Sequence, residues 1–135
     1  MSIEVRLTAD GIGMAATGVG VLTGQDLLDA TAQLREEAER NPEIRYAVMD
    51  LSAIPEEKVE TRSIRALAAQ RLELTHELCI VIVAPSEVLF GISRMWEMMA
   101  ERRGLGSRVV RTRAEAITWL QERLTRPVAP FRVTE

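Results

Sequence analysis

The sequence predicts an α/β fold, a mixed sheet of about five strands with four helices. Three observations predict it. Short apolar runs alternate along the chain with segments of helical apolar spacing, the pattern of parallel strands joined by helical crossovers. One run, Leu78-Cys79-Ile80-Val81-Ile82-Val83-Ala84, is apolar on both faces and rich in β-branched residues, as a central parallel strand covered on both sides must be. The first two runs are joined by Asp10-Gly11, a hairpin signal, so pairing begins antiparallel.

The elements follow in order. Ile3, Val5 and Leu7 alternate with Glu4, Arg6 and Thr8, the period of a half-buried strand. A second strand runs from Ile12 to about Thr17. Thr23 reads as an N-cap, with Asp26 in the capping-box position. Leu27, Ala30, Leu34 and Ala38 form the stripe of the first helix, and Asn41-Pro42 stops it. Strand three is Arg45 to Leu51. A charged loop leads to a second helix that begins at Thr61, with Ile64, Leu67, Ala68 and Leu72 on one face. After the central strand, Ser86 caps a third helix that turns Val88, Ile92, Met95 and Met99 inward and ends near Gly104. Ser107 to Arg111 is a fifth strand. Thr112-Arg113-Ala114-Glu115 is a capping box, and Ile117, Leu120 and Leu124 are the stripe of the last helix. The organisation expected is one domain over residues 1–124 and an extended C-terminal tail from Thr125, which carries Pro127 and Pro130.

Composition narrows the function classes. At 135 residues the chain suits one domain. A net charge of −3 argues against a general affinity for nucleic acid phosphates. The single cysteine rules out an internal disulfide and gives no zinc-ligand spacing. Met1 to Arg6 has no signal-peptide apolar region. The longest apolar run falls far short of the roughly 20 residues that span a bilayer. A cytoplasmic protein with no membrane span is expected.

The strand end Asp50-Leu51-Ser52 followed by a helix at Thr61 places a carboxylate, a hydroxyl and a helix N-terminus at one edge of the sheet. Sites in α/β proteins lie at the carboxyl ends of the strands. No catalytic constellation accompanies them, so a non-enzymatic role without cofactor or metal is expected.

The order of elements, and Val48-Met49-Asp50-Leu51-Ser52 leading into a helix, resemble the STAS domain of bacterial anti-sigma-factor antagonists. The chain is more similar still to the bacterial STAS-like branch grouped with them. The motifs that carry the resemblance are Gly20-Val21-Leu22-Thr23, Asp50-Leu51-Ser52, Ala84-Pro85-Ser86, Phe90-Gly91-Ile92-Ser93-Arg94-Met95 and Ala116-Ile117-Thr118-Trp119-Leu120, within residues 3–124. The resemblance implies a STAS-like fold and a regulatory or interaction role with a protein partner. It also implies a phosphoacceptor signature, Asp-Ser-Ser-Gly-Leu, at the start of helix two. The positions here are Glu60-Thr61-Arg62-Ser63-Ile64. Thr61 falls where the phosphorylatable serine would be. Arg62 replaces the second serine, the glycine is gone, and Pro55 to Lys58 lengthen the loop.

Read from the residues alone, Thr61 before a helix is first a cap. The alternative is an anion site or a phosphate on Thr61, with Ser63 a second candidate, since a helix N-terminus attracts anions and Arg62 and Arg65 add charge beside it. Gly18-Val19-Gly20-Val21-Leu22-Thr23-Gly24, with Asp50 ending the next strand, has parts of a dinucleotide fingerprint, one residue out of register. This makes nucleotide binding a lesser alternative. His76 and Cys79 read as surface and core residues. On helix three, Phe90, Trp96 and Met98 lie off the expected core stripe and, with Arg94, suggest an interface, most simply a homodimer. A different class of function is a carrier of a small apolar or lipid ligand. The STAS-like layout resembles lipid-transfer domains of the CRAL-TRIO type, although the chain lacks the length those use for a lid.

Overall fold

A computed structural model describes residues 3–69, 78–100 and 106–124, with the side chains at 68, 99 and 100 excepted. The elements are β1 (Ile3–Leu7), β2 (Gly13–Gly18), β3 (Val21–Thr23), α1 (Gly24–Arg40), β4 (Tyr46–Asp50), β5 (Glu56–Lys58), α2 (Thr61–Ala69), β6 (Cys79–Val83), α3 (Glu87–Ala100), β7 (Ser107–Val110) and α4 (Arg113–Leu124). The main sheet has the order β1-β2-β4-β6-β7. β1 pairs antiparallel with β2, and every later pair is parallel. The expected mixed sheet of five strands with four helices is therefore present. His76, the end expected for helix three near Gly104 and the tail from Thr125 lie outside the described residues.

Register sorts the side chains to two faces, because successive residues of a strand point to opposite sides. Ala16, Met49, Ile82 and Val109 align across the sheet and meet Leu27 and Ala30 of α1, Leu67 of α2 and Leu89 of α3. Ala15, Val48 and Val81 align on the other face and meet Ala116 and Leu120 of α4. Three helices cover one face and one covers the other. All five residues of β4 are buried, as the parallel reading of this segment requires.

Local signals act where they were expected. Thr23 caps α1, accepting from the Asp26 N–H at 3.1 Å while the Asp26 carboxylate accepts from the Thr23 N–H at 3.1 Å. The Ser86 hydroxyl accepts from the Leu89 N–H at 3.1 Å, and that of Thr112 from the Glu115 N–H at 3.1 Å. In the β1–β2 hairpin, Asp10 accepts from the Ile12 N–H at 3.1 Å and the Thr8 hydroxyl at 2.6 Å. Gly11 takes the left-handed φ of +74° that the turn needs. Tyr46, fully buried, donates its hydroxyl to Asp10 at 2.8 Å. Its ring lies where Gly13 has no side chain, since a Cβ there would come within 2.1 Å of it.

Two features differ from the sequence reading. The loop at Pro55 to Lys58 contains β5, which pairs parallel with β3 in a separate two-stranded sheet, Thr23 opposite Lys58. Three charged residues in a row carry no alternation, so periodicity does not reveal this strand. The third helix is also rotated about its axis. Among its described side chains the buried ones are Leu89, Ser93 and Glu97, while Val88 and Met95 are exposed; the side chain of Met99 lies outside the described residues. Apolar residues occur all round this helix, so more than one stripe fits the spacing. The stripe through Leu89 and Trp96 meets the sheet, and polar Ser93 and Glu97 between them disguise it.

Candidate functional site

The carboxyl edge of the sheet carries the residues that the sequence singled out, and the structure divides them between its two faces. Thr17, Asp50, Val83 and Val110 lie in one row across β2, β4, β6 and β7. Val83 and Val110 belong to the core under α4, so Asp50 faces α4. Its carboxylate is completely buried and closely engaged. Oδ1 accepts from the Ser52 N–H at 3.0 Å and the Ser52 hydroxyl at 2.6 Å. Oδ2 accepts from Arg113 Nε at 2.8 Å, and a second Arg113 nitrogen donates to the Ser52 hydroxyl at 3.0 Å. Asp50, Ser52 and Arg113 thus form a latch between the end of β4 and the first turn of α4. A buried carboxylate held by several charge-assisted donors is a tie between elements, and its oxygens are taken.

Arg113 is the member that sequence reasoning missed. A signal exists for it. A cation in the first turn of a helix opposes the helix dipole, and such a placement asks for a compensating anion. Asp50 supplies one from 63 positions away.

Thr61 lies on the other side. It opens α2, whose Leu67 is buried against the face opposite α4. The expected meeting of Asp50 and Ser52 with Thr61 and Ser63 does not occur, because the first pair serves α4 and the second belongs to α2. The capping role expected for Thr61 is also displaced. The helix starts one residue earlier than that role requires, with the Glu60 carbonyl accepting from the Ser63 N–H at 2.9 Å and the Ile64 N–H at 3.4 Å. Thr61 is exposed, and its hydroxyl makes no hydrogen bond among the described residues. Arg62 pairs with Glu60 at 2.6 Å on the open surface, a contact of little energetic weight. Arg65 is exposed as well.

Ser63 is half-buried and packs on the start of α1. A Cβ at Gly24 would lie 2.1 Å from its Oγ, so the two helix N-termini approach closely only because residue 24 is glycine. A cleft between those termini is lined by Thr23, Lys58, Glu60, Arg62 and Ser63. The other glycines of the dinucleotide-like segment also have local causes, packing at Gly18 and backbone conformation at Gly20. A Cβ at Gly18 would meet Ile54 at 2.8 Å, and Gly20 has a φ of +74°.

On α3 the suggested interface residues separate. Met98 is 66% exposed. Arg94 is exposed and pairs with Glu97 one turn on. Phe90 is half-buried against the core, with the Arg111 guanidinium 4.1 Å from its ring centre. Trp96 is turned inward. It is half-buried, packs on the core beneath α1 to α3, and lines a cavity there with Leu27, Met49 and Leu89. The outward Trp96 of the sequence reading is thereby corrected. The cause is the helix rotation, which brings the indole to the sheet and leaves Val88 and Met95 outside. Among the described residues no helix is long and apolar enough to cross a membrane.

No family model matches the chain, and no curated protein matches it. Solved structures do. The chain is similar to an uncharacterised protein of the DUF3478 family, with a SpoIIAA-like fold, from Shewanella loihica PV-4. The TM-score is 0.52 at 18% identity, over 87% of this chain and 91% of that one. It is also similar to the anti-sigma factor antagonist SpoIIAA in its unphosphorylated form, with a TM-score of 0.48 at 11% identity, over 88% and 97% of the two chains. At these identities the likeness speaks for the fold, and the fold is SpoIIAA-like, the STAS-like α/β arrangement.

Proposed function

We propose that this protein is a non-enzymatic interaction or regulatory module of the bacterial cytoplasm, which binds a protein partner or a second copy of itself. Its SpoIIAA-like fold supports the reading. The observation that carries it is the outer face of α3. Val88, Gly91, Met95 and Met98 recur at helical spacing and share one side of the helix. All four are exposed, with Arg94 beside them. Methionine and arginine are enriched at protein interfaces, and contiguous exposed apolar surface marks them.

The start of α2 offers a second exposed group of residues. Both helices begin at the carboxyl edge of the sheet and pack side by side. Thr61, Arg62 and Arg65, all exposed, set a hydroxyl and two cations on the helix packed beside α3. A phosphate on Thr61 would carry close to two negative charges, pair with those arginines and change what the face accepts. Thr61 suits this better than Ser63, which is packed against Gly24.

Sedimentation tests the self-association. The wild type is expected to form a two-fold dimer at high protein concentration, and Met98→Glu to sediment as a folded monomer. A wild type that stays monomeric removes the homodimer. Phosphopeptide mapping from the native host tests the switch, and repeated absence of phosphate on Thr61 and Ser63 under varied growth conditions removes it. A second reading, a carrier of a small apolar ligand, draws support from the cavity beneath α1, α2 and α3.

A further inference from the structure

The cavity lies between the inner face of the sheet and the three helices that cover it, and encloses about 80 Å³. Its wall is almost wholly aliphatic, with Trp96 on one side. Two hydroxyls interrupt it, and they differ. Thr31 of α1 donates to the Leu27 carbonyl one turn back at 2.8 Å, the usual way for a helical hydroxyl to satisfy itself. Ser93 of α3 is 5% exposed, lines the same cavity, and has no hydrogen-bond partner among the described residues. Buried polar groups are nearly always paired, and one that is not needs a cause. Alanine would fill this position without the penalty.

Water does not supply the cause. The space exceeds the roughly 10–15 Å³ that a single water occupies, yet a water there needs two to four polar partners, and among the described residues the wall offers only the side chains of Ser93 and a Thr31 already engaged. Apolar cavities of this kind stay dry or take apolar guests. Among the described residues no charged side chain lines the wall. An ionised head group would be buried without compensation, which excludes a carboxylate or ammonium end.

We propose that this cavity binds a small neutral apolar molecule bearing one hydrogen-bonding group, and that Ser93 is the residue that receives that group. The proposal rests on the carrier reading and deepens it by naming the ligand class and its anchor. Ile92 and Trp96 are half-buried, which brings part of the wall to the surface between α3 and its neighbours. At about 80 Å³ the cavity is roughly half the size that takes benzene, so a single ring or a short chain enters only as the wall yields. An apolar cavity of about 150 Å³ takes benzene, and a wall that reaches the surface can yield by the remaining margin.

Benzene and phenol are the probes, titrated into the full chain and followed by methyl NMR. Both are expected to shift the methyl signals of Ile82 and Ile92 saturably and to leave Ile117, on α4 across the sheet, in place. Ser93→Ala is expected to weaken phenol about tenfold and to leave benzene unchanged, since only phenol carries a group for the hydroxyl to meet. The variant removes one atom and keeps the fold within reach. If Ser93→Ala affects both probes equally, or neither, the anchor is wrong while the cavity still binds apolar guests. If neither probe gives saturable shifts at Ile82 and Ile92 up to its solubility, the anchor and the carrier reading fall together.

Discussion

At the residue scale the Asp50 latch decides most. A fully buried carboxylate persists in a fold only when its oxygens are occupied, and Arg113 occupies one of them. Arg113→Met keeps the aliphatic stem and removes the donors. It is expected to cost about 2–3 kcal/mol in urea unfolding, the loss for a hydrogen bond to a buried charge. A loss below about 0.5 kcal/mol would mean that Ser52 suffices alone. The two threonines before helices form a sharper pair. Thr23→Ala removes a complete capping box and should cost about 1 kcal/mol, whereas Thr61→Ala removes no hydrogen bond and should fall within about 0.5 kcal/mol. Equal effects in thermal or urea denaturation would contradict that placement. Thr23 was legible because its box partner Asp26 stands three residues on. Thr61 was not, because Glu60 immediately before it can take the cap position through its backbone alone. Arg113 was not because nothing local joins residues 50 and 113.

At the element scale the strands were legible and the third helix only in outline. β4, β6 and β7 are short and mostly apolar, β6 being largely β-branched, and a strand fixes its faces by a period of two, so their placement follows once the core side is known. A helix with apolar residues on every side leaves its rotation open. In α3 the sheet selected Leu89 and Trp96 over Val88 and Met95, and it accepted Ser93 and Glu97 beneath the helix as a consequence. Truncation reads the rotation directly. Leu89→Ala creates a core cavity and should cost about 3 kcal/mol, and Val88→Ala, on the open side, should stay within about 0.5 kcal/mol. The reverse order, measured by urea unfolding, would restore the stripe read from the sequence. The same rotation sends an indole to the cavity wall and leaves Met95 and Met98 in solvent.

At the scale of the whole molecule, the sheet's interior and its carboxyl rim differ in how firmly they are held. β2, β4 and β6 have neighbours on both sides and helices on both faces, so their amides can exchange only when the molecule opens broadly. The rim is built otherwise. β3 and β5 are three residues each, pair only with one another, and bury one side chain of the six, Leu22. They tie the start of α1 to the loop before α2, which is where Lys58, Thr61 and Arg62 gather. A surface that changes what it binds when one group is added draws on the least stable part of a fold, because reorganising it costs little. Hydrogen exchange should therefore show two tiers. Amides in β4 and β6 should exchange at the rate set by global unfolding, and those in β3 and β5 at rates several orders of magnitude faster. Met98→Glu should leave both tiers unmoved, since it lies outside either sheet. Arg113→Met should raise exchange at the end of β4 and the start of α4, the two segments that the latch joins, before it affects β3 and β5. Protection in β3 and β5 equal to that of β4 would show the rim to be rigid, and a phosphate at Thr61 would then have to act through charge alone.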